Sequence, residues 1–182
     1  MDRGAFDGMR KAVFLDRDGV LNEVLTKRVK FVNNPRQLFL LDGAAEAVAE
    51  ITQAGYPIFI VTNQGGIGLG FMTEEKLKRV HRRLTTLITE KGGKITDIAH
   101  CPHKPHEGCS CRKPQPGMLE ALAEKYGINL TQSVMVGDHE RDIEAGRAAG
   151  CKTVFIGTGE TGADFSAPTL SAAVKSILSL LE

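Results

Sequence analysis

Short unbroken apolar runs recur along the chain, each followed by polar residues and then by a stretch with helical spacing. The runs lie at residues 11–15, 57–62, 133–137 and 152–156, with a weaker one at 95–100. Between them, apolar positions return every three or four residues over 43–55, 74–91, 118–126 and 142–149. Leu170, Val174, Ile177, Leu178 and Leu181 form a closing stripe. Continuous apolar runs suit strands buried on both faces, and three-to-four spacing suits helices packed by one face. The punctuation agrees. Asp42 suits the N-cap of the first helix, and Gly55 the position past its end. Thr73 precedes the second helix and Gly92-Gly93 follow it; Gly127 and Gly150 end the next two. Five strands, each leading into a helix, predict an α/β fold: a Rossmann-like three-layer sandwich around a five-stranded parallel sheet.

Length and charge narrow the picture. The 182 residues fit one domain, 1–182, at roughly 100–200 residues per domain. Residues 1–8 read as a flexible overhang ahead of Met9. Lys and Arg number 23 against 22 Asp and Glu, so no basic field is available for nucleic acid. No apolar run approaches the ~18–20 residues of a membrane span, and the first ten residues lack a signal-peptide pattern. A cytoplasmic protein without membrane or nucleic-acid partners is expected, and a monomer.

In parallel sheets ligands sit beyond the carboxyl ends of the strands. The polar clusters fall there. Asp16-Arg17-Asp18-Gly19 follows the first run, Thr62-Asn63-Gln64 the second, Arg112-Lys113-Pro114 the third and Gly137-Asp138 the fourth. Asp16 and Asp18, two apart in extended chain, lie on one side of it. With Asp138 they make an acidic pocket that cannot be buried unpaired, and a hard cation such as Mg²⁺ resolves the repulsion. Lys113, Thr62 and Asn63 supply donors opposite. Acid cluster, metal, lysine and hydroxyl describe phosphoryl transfer: one Asp attacks phosphorus and the other moves the proton.

Three of the four cysteines crowd into 101–111. Cys101, His103, Cys109 and Cys111 form C-x-H-x₅-C-x-C, a set of three thiolates and an imidazole suited to structural Zn²⁺. His100 and His106 are rival donors; the spacing of His103 mirrors that of Cys109 and Cys111. A metal-clamped loop there would hold Arg112 and Lys113 rigidly. Cys151, at a strand start, reads as a core thiol.

Residues 14–22, 61–63, 112–114 and 136–142 resemble the four motifs of the haloacid dehalogenase (HAD) superfamily of phosphatases, the match spanning roughly 11–160. The resemblance implies Asp16 as nucleophile, Asp18 as general acid/base, and Thr62 and Lys113 as phosphoryl stabilisers. It implies Mg²⁺ held by Asp16, Asp138 and the backbone carbonyl of Asp18. Within the superfamily, residues 62–67 and the Cys/His loop look like the heptose 1,7-bisphosphate phosphatase branch, with histidinol-phosphate phosphatases as near relatives. The implied substrate is a small phosphorylated sugar, lined by Asn63, Gln64, Gly65, Arg112 and His139, with Thr26 and Lys27 on a loop above it. The sequence departs from the pattern at His139, in the short Cys/His spacing and at 31–35. Only residues 19–42 separate the first strand from its helix, so no large cap domain is expected. A receiver-type domain phosphorylated on Asp shares the sheet, but lacks a counterpart to Asp18 and the cysteine loop.

Overall fold

The computed structural model describes residues 9–182; the expectation for 1–8 lies outside the described residues. The strands are β1 (Val13–Leu15), β2 (Ile58–Asn63), β3 (Asp97–Cys101), β4 (Val134–Gly137), β5 (Lys152–Ile156) and β6 (Phe165–Ala167). The helices are α1 (Ala44–Gln53), α2 (Glu74–Thr89), α3 (Gly117–Tyr126), α4 (Glu140–Ala148) and α5 (Leu170–Leu181). The strands form one sheet in the order β3-β2-β1-β4-β5-β6, every pair parallel.

The sheet has six strands rather than the five expected. Strand β6 is three residues long, and two of them are exposed, so it carries no apolar run. It is fixed from outside its own sequence, through pairing with Val154, Phe155 and Ile156.

Strand alternation divides the core. Val13, Leu15, Ile58, Ile60, Val134 and Val136 face a layer holding Val48 and Ile51 of α1, Val80 and Leu84 of α2, and Val174 and Ile177 of α5. Ala12, Phe14, Phe59, Val61 and Met135 face Met118, Leu119 and Leu122 of α3 and Ala145 of α4. Phe14 stacks on Phe59 with centroids 5.3 Å apart. The three layers match the expected sandwich.

Thr73 caps α2 by accepting from the Lys76 amide, and Gly127 ends α3 in the left-handed region. Asp42 is not the N-cap of α1. Gly43 takes that place at φ 76, without a side-chain bond. Between β1 and α1 the chain forms loops and one short 3₁₀ turn, Pro35–Gln37, in place of a cap domain.

The order of the strands positions the site. The chain starts in the middle at β1, runs outward through β2 and β3, then returns to β4 on the other side. Adjacent loops after β1 and β4 therefore lead in opposite directions and leave a crevice between them.

Candidate active site

Asp16 follows β1, its amide donating to the Val136 carbonyl of β4 at 2.9 Å. That bond places its carboxylate in the crevice. Lys113 Nζ lies 2.8 Å from Asp16 Oδ1 and 2.7 Å from Asp142 Oδ1, and donates to the Val61 carbonyl at 2.8 Å. Lys113 is buried. Burial would lower its pKa, but Asp16 and Asp142 more than offset this and hold it charged. Asn63 secures the lysine's backbone: Nδ2 donates to the Lys113 carbonyl at 3.1 Å and Oδ1 accepts from its amide at 3.0 Å.

Asp18 is gripped on both oxygens. Oδ1 accepts from Arg17 Nε at 3.1 Å, Arg17 Nη2 at 2.9 Å and Asn22 Nδ2 at 2.9 Å. Oδ2 accepts from Gln64 Nε2 at 3.2 Å, and the same amide donates to Thr62 Oγ1 at 2.9 Å. Burial would raise the Asp18 pKa, but Arg17, Asn22 and Gln64 outweigh it and hold the carboxyl below its usual range. Asp16 differs: burial pushes its carboxyl well up, Lys113 pulls it down, and Asp142, Asp138 and Asp18 push it up again.

Asp138 packs on the turn after β1. A Cβ at Gly19 would fall 1.9 Å from Asp138 Oδ2, and Gly19 sits at φ 83. Only glycine permits both the turn and the carboxylate. Asp138 Oδ1 lies 2.9 Å from His139 Nδ1. Four carboxylates thus meet two buried cations, Lys113 and Arg17. The surplus of two negative charges, on oxygen donors, fits a hard divalent ion.

Asp142 stands in the sequence as part of a motif and is not among the site residues predicted from it. It is fully buried. One oxygen faces Lys113, and Oδ2 accepts from the amides of Asp138 and His139 at 3.1 Å each. It therefore holds the β4–α4 turn and the lysine together. Its spacing from Asp138 is the sequence signal that points to it. Arg17 is likewise absent from the predicted site; it is the largest side chain in the structure that is fully buried.

A cavity of about 520 Å³ opens over Asp16, Asp18 and Lys113. Asn63, Gln64, Gly65, Arg112 and His139 line it. Thr26 and Lys27 do not. Thr26 turns back onto Glu23 and the Val29 carbonyl, and both residues are exposed outside the cavity lining. The loop closes on itself because the Arg28 guanidinium pairs with Glu23 at 2.6 Å and stacks on Phe39. Lys30 and Arg141 join Arg112 in the lining instead. Leu25, Phe31, Leu69 and Phe71 give the mouth an exposed apolar rim.

Cys101, His103, Cys109 and Cys111 converge, one donor atom from each within 4.8 Å of the others. Cys101 Sγ lies 3.3 Å from His103 Nδ1, 3.6 Å from Cys109 Sγ and 3.0 Å from Cys111 Sγ. The loop is stitched to the site: the Gln64 amide donates to the Cys101 carbonyl at 2.8 Å, and Arg112 Nη1 to the His103 carbonyl at 3.2 Å.

Among the described residues no helix is long and apolar enough to cross a membrane. The HAD-hydrolase-like family model matches residues 110–177. Fold and site define a phosphoric monoester hydrolase of the HAD type. A D-glycero-beta-D-manno-heptose-1,7-bisphosphate 7-phosphatase from Pseudomonas putida is 41% identical over 82% of this chain and 84% of its own. The alpha-heptose counterpart from Photorhabdus laumondii is 37% identical over 89% of each chain. The Bordetella bronchiseptica heptose 1,7-bisphosphate phosphatase, solved with magnesium and phosphate, superposes with a TM-score of 0.84. It is 32% identical, covering 93% of this chain and 98% of its own. The chain belongs to the heptose-1,7-bisphosphate 7-phosphatase family.

Proposed function

We propose that this protein hydrolyses the 7-phosphate of D-glycero-D-manno-heptose 1,7-bisphosphate through an aspartyl phosphate on Asp16. The observation that carries the reading is the buried Asp16–Lys113 pair at the base of a cavity with Lys30, Arg112 and Arg141 on its walls. Asp16 Oδ attacks phosphorus and the bond to the sugar oxygen breaks. Asp18 protonates that oxygen, then takes a proton from the water that releases phosphate. Lys113 and Thr62 stabilise the charge on the transferring group. Asp16, Asp138 and the Asp18 carbonyl would hold Mg²⁺, which supplies Lewis-acid stabilisation when bound. Arg112, Lys30 and Arg141, which line the cavity, meet the second phosphate in this reading, and Lys27 takes no part. The beta anomer is the preferred substrate, a reading supported by the name of the Pseudomonas relative.

Zinc on Cys101, His103, Cys109 and Cys111 is structural in this reading, since all four donors come from the protein and none is left for substrate. The substrate site is entered directly, without a cap, and one domain suffices.

The test is phosphate release with Mg²⁺ from the beta and alpha heptose bisphosphates and from histidinol phosphate, with Asp16→Asn as the blank. Preference for the beta heptose, abolished in Asp16→Asn, is the expected result. Preference for histidinol phosphate overturns the substrate, and full activity in Asp16→Asn overturns the nucleophile.

A further inference from the structure

Arg17 stands between Asp16 and Asp18, and its side chain runs into the protein. It is fully buried. A guanidinium has five N–H donors and stays charged at any working pH, so its interior partners matter. Nε and Nη2 donate to Asp18 Oδ1, as described. Nη1 lies 3.1 Å from His81 Nε2. Since Arg17 can only donate, Nε2 is the acceptor and the imidazole is neutral with its proton on Nδ1. His81 comes from α2 and is not among the residues that line the cavity over Asp16.

The groups around His81 fit this role. His100 of β3 lies edge-on with centroids 6.4 Å away, and its Nε2 pairs with Glu74 at 2.8 Å. Burial, then Arg17, then His100 push the His81 pKa down to about 3, against a smaller upward pull from Asp18. Lys78 and Arg82 line the groove that His81 borders on its outer side. A neutral acceptor is the form this environment favours.

We propose that His81 is a positioning residue: by accepting from Arg17 Nη1 it fixes the guanidinium fork, which in turn aims Asp18 at the leaving oxygen. The inference rests on Asp18 being the acid/base group of the proposed function. His81 belongs neither to the lining of the cavity over Asp16 nor to the Cys/His cluster, and nothing in the phosphatase motifs assigns it a role.

The experiment compares His81→Leu, which removes the acceptor, with His81→Gln, whose amide oxygen can replace it. Each is assayed on heptose bisphosphate and on para-nitrophenyl phosphate, whose leaving group departs without a proton donor. The melting temperature is recorded alongside. General acid–base groups contribute about 10²–10⁴-fold. Misaiming one should therefore lower kcat of His81→Leu on the sugar about tenfold to a hundredfold, with KM within about threefold. The loss on the nitrophenyl ester should be several-fold smaller, and His81→Gln should recover most of the rate. Equal losses on both esters, or Gln behaving as Leu does, would overturn the proposal. If His81→Leu does not fold, His81→Ala serves as the acceptor-free variant. If the wild type is inactive on the heptose but cleaves another alkyl phosphate, the sugar assignment fails. The Leu–Gln comparison is then read on that ester with the same criteria.

Discussion

At Gly19, one hydrogen atom in place of a methyl decides whether the site can assemble. A Cβ there would collide with the Asp138 carboxylate at 1.9 Å, and φ 83 is already costly for any L side chain. Gly19→Ala should therefore fold at a cost of about 1–2 kcal/mol, from the left-handed backbone, yet lose phosphatase activity far out of proportion to that cost. Urea unfolding beside kcat tests this; a variant with near-normal turnover would show that Asp138 can move aside. Asp142 works in the opposite sense, as a support. It pairs with buried Lys113 and caps the turn after β4. Removing one partner of a buried pair costs about 3–5 kcal/mol. Asp142→Ala should show a loss of this order in the free energy of urea unfolding, and Asp142→Asn, which keeps an acceptor for the two amides, a smaller one. Asp16 and Asp18 were legible as a site only together with the polar clusters at the other strand ends, since an Asp-x-Asp alone is more often a turn or a solvated loop. Arg17 and Asp142 were not. Charged residues are almost never fully buried unless paired; Arg17 pairs with its neighbour Asp18, which gives no sign of burial, and the partner of Asp142, Lys113, lies 29 positions away in sequence.

Among the elements, the apolar runs were enough to find β1 through β5 and all five helices, because strands buried on both faces and helices buried on one leave different periods. Strand β6 escaped for the same reason: an edge strand with two exposed residues has no such period. The 23–35 loop was legible as a loop over the site, but not in its detail. Pairing of Arg28 with Glu23 and its stacking on Phe39 draw Thr26 and Lys27 aside, and Lys30 reaches the cavity in their place. The Cys/His loop was legible as a cluster, and its four side chains do converge. Its contacts to Gln64 and Arg112 make it a brace for the substrate wall. Treatment with a chelator, or Cys109→Ser, should lower the melting temperature and raise KM for the bisphosphate more than it lowers kcat. Lys113 is held independently by Asp16, Asp142 and Asn63, so the chemical step has other supports. A loss confined to kcat, with KM and melting unchanged, would contradict the brace.

For the molecule as a whole, the site is a place where function opposes stability. Four carboxylates share a crevice with only two buried cations, and the Asp16 carboxyl is pushed up by burial and by Asp142, Asp138 and Asp18 together. Neutralising one of the surplus acids should relax the metal-free fold. Asp138 is the informative choice. It is partly exposed and makes no ion pair with Lys113 or Arg17, so its removal leaves the buried network intact. Asp138→Asn keeps the volume and drops one negative charge. In chelator-treated protein, where metal is absent from either form, the variant should be more stable by about 1 kcal/mol. That corresponds to roughly 2–4 °C in Tm for a chain of about this size. On adding Mg²⁺ the order should reverse: a ligand that binds only the folded state stabilises it by RT ln(1 + [L]/Kd), and the variant has lost an oxygen ligand. Thermal melts of both proteins across a Mg²⁺ titration check this. Crossing curves are expected; a variant less stable at every concentration would mean that Asp138 supports the turn after β1 instead of straining it.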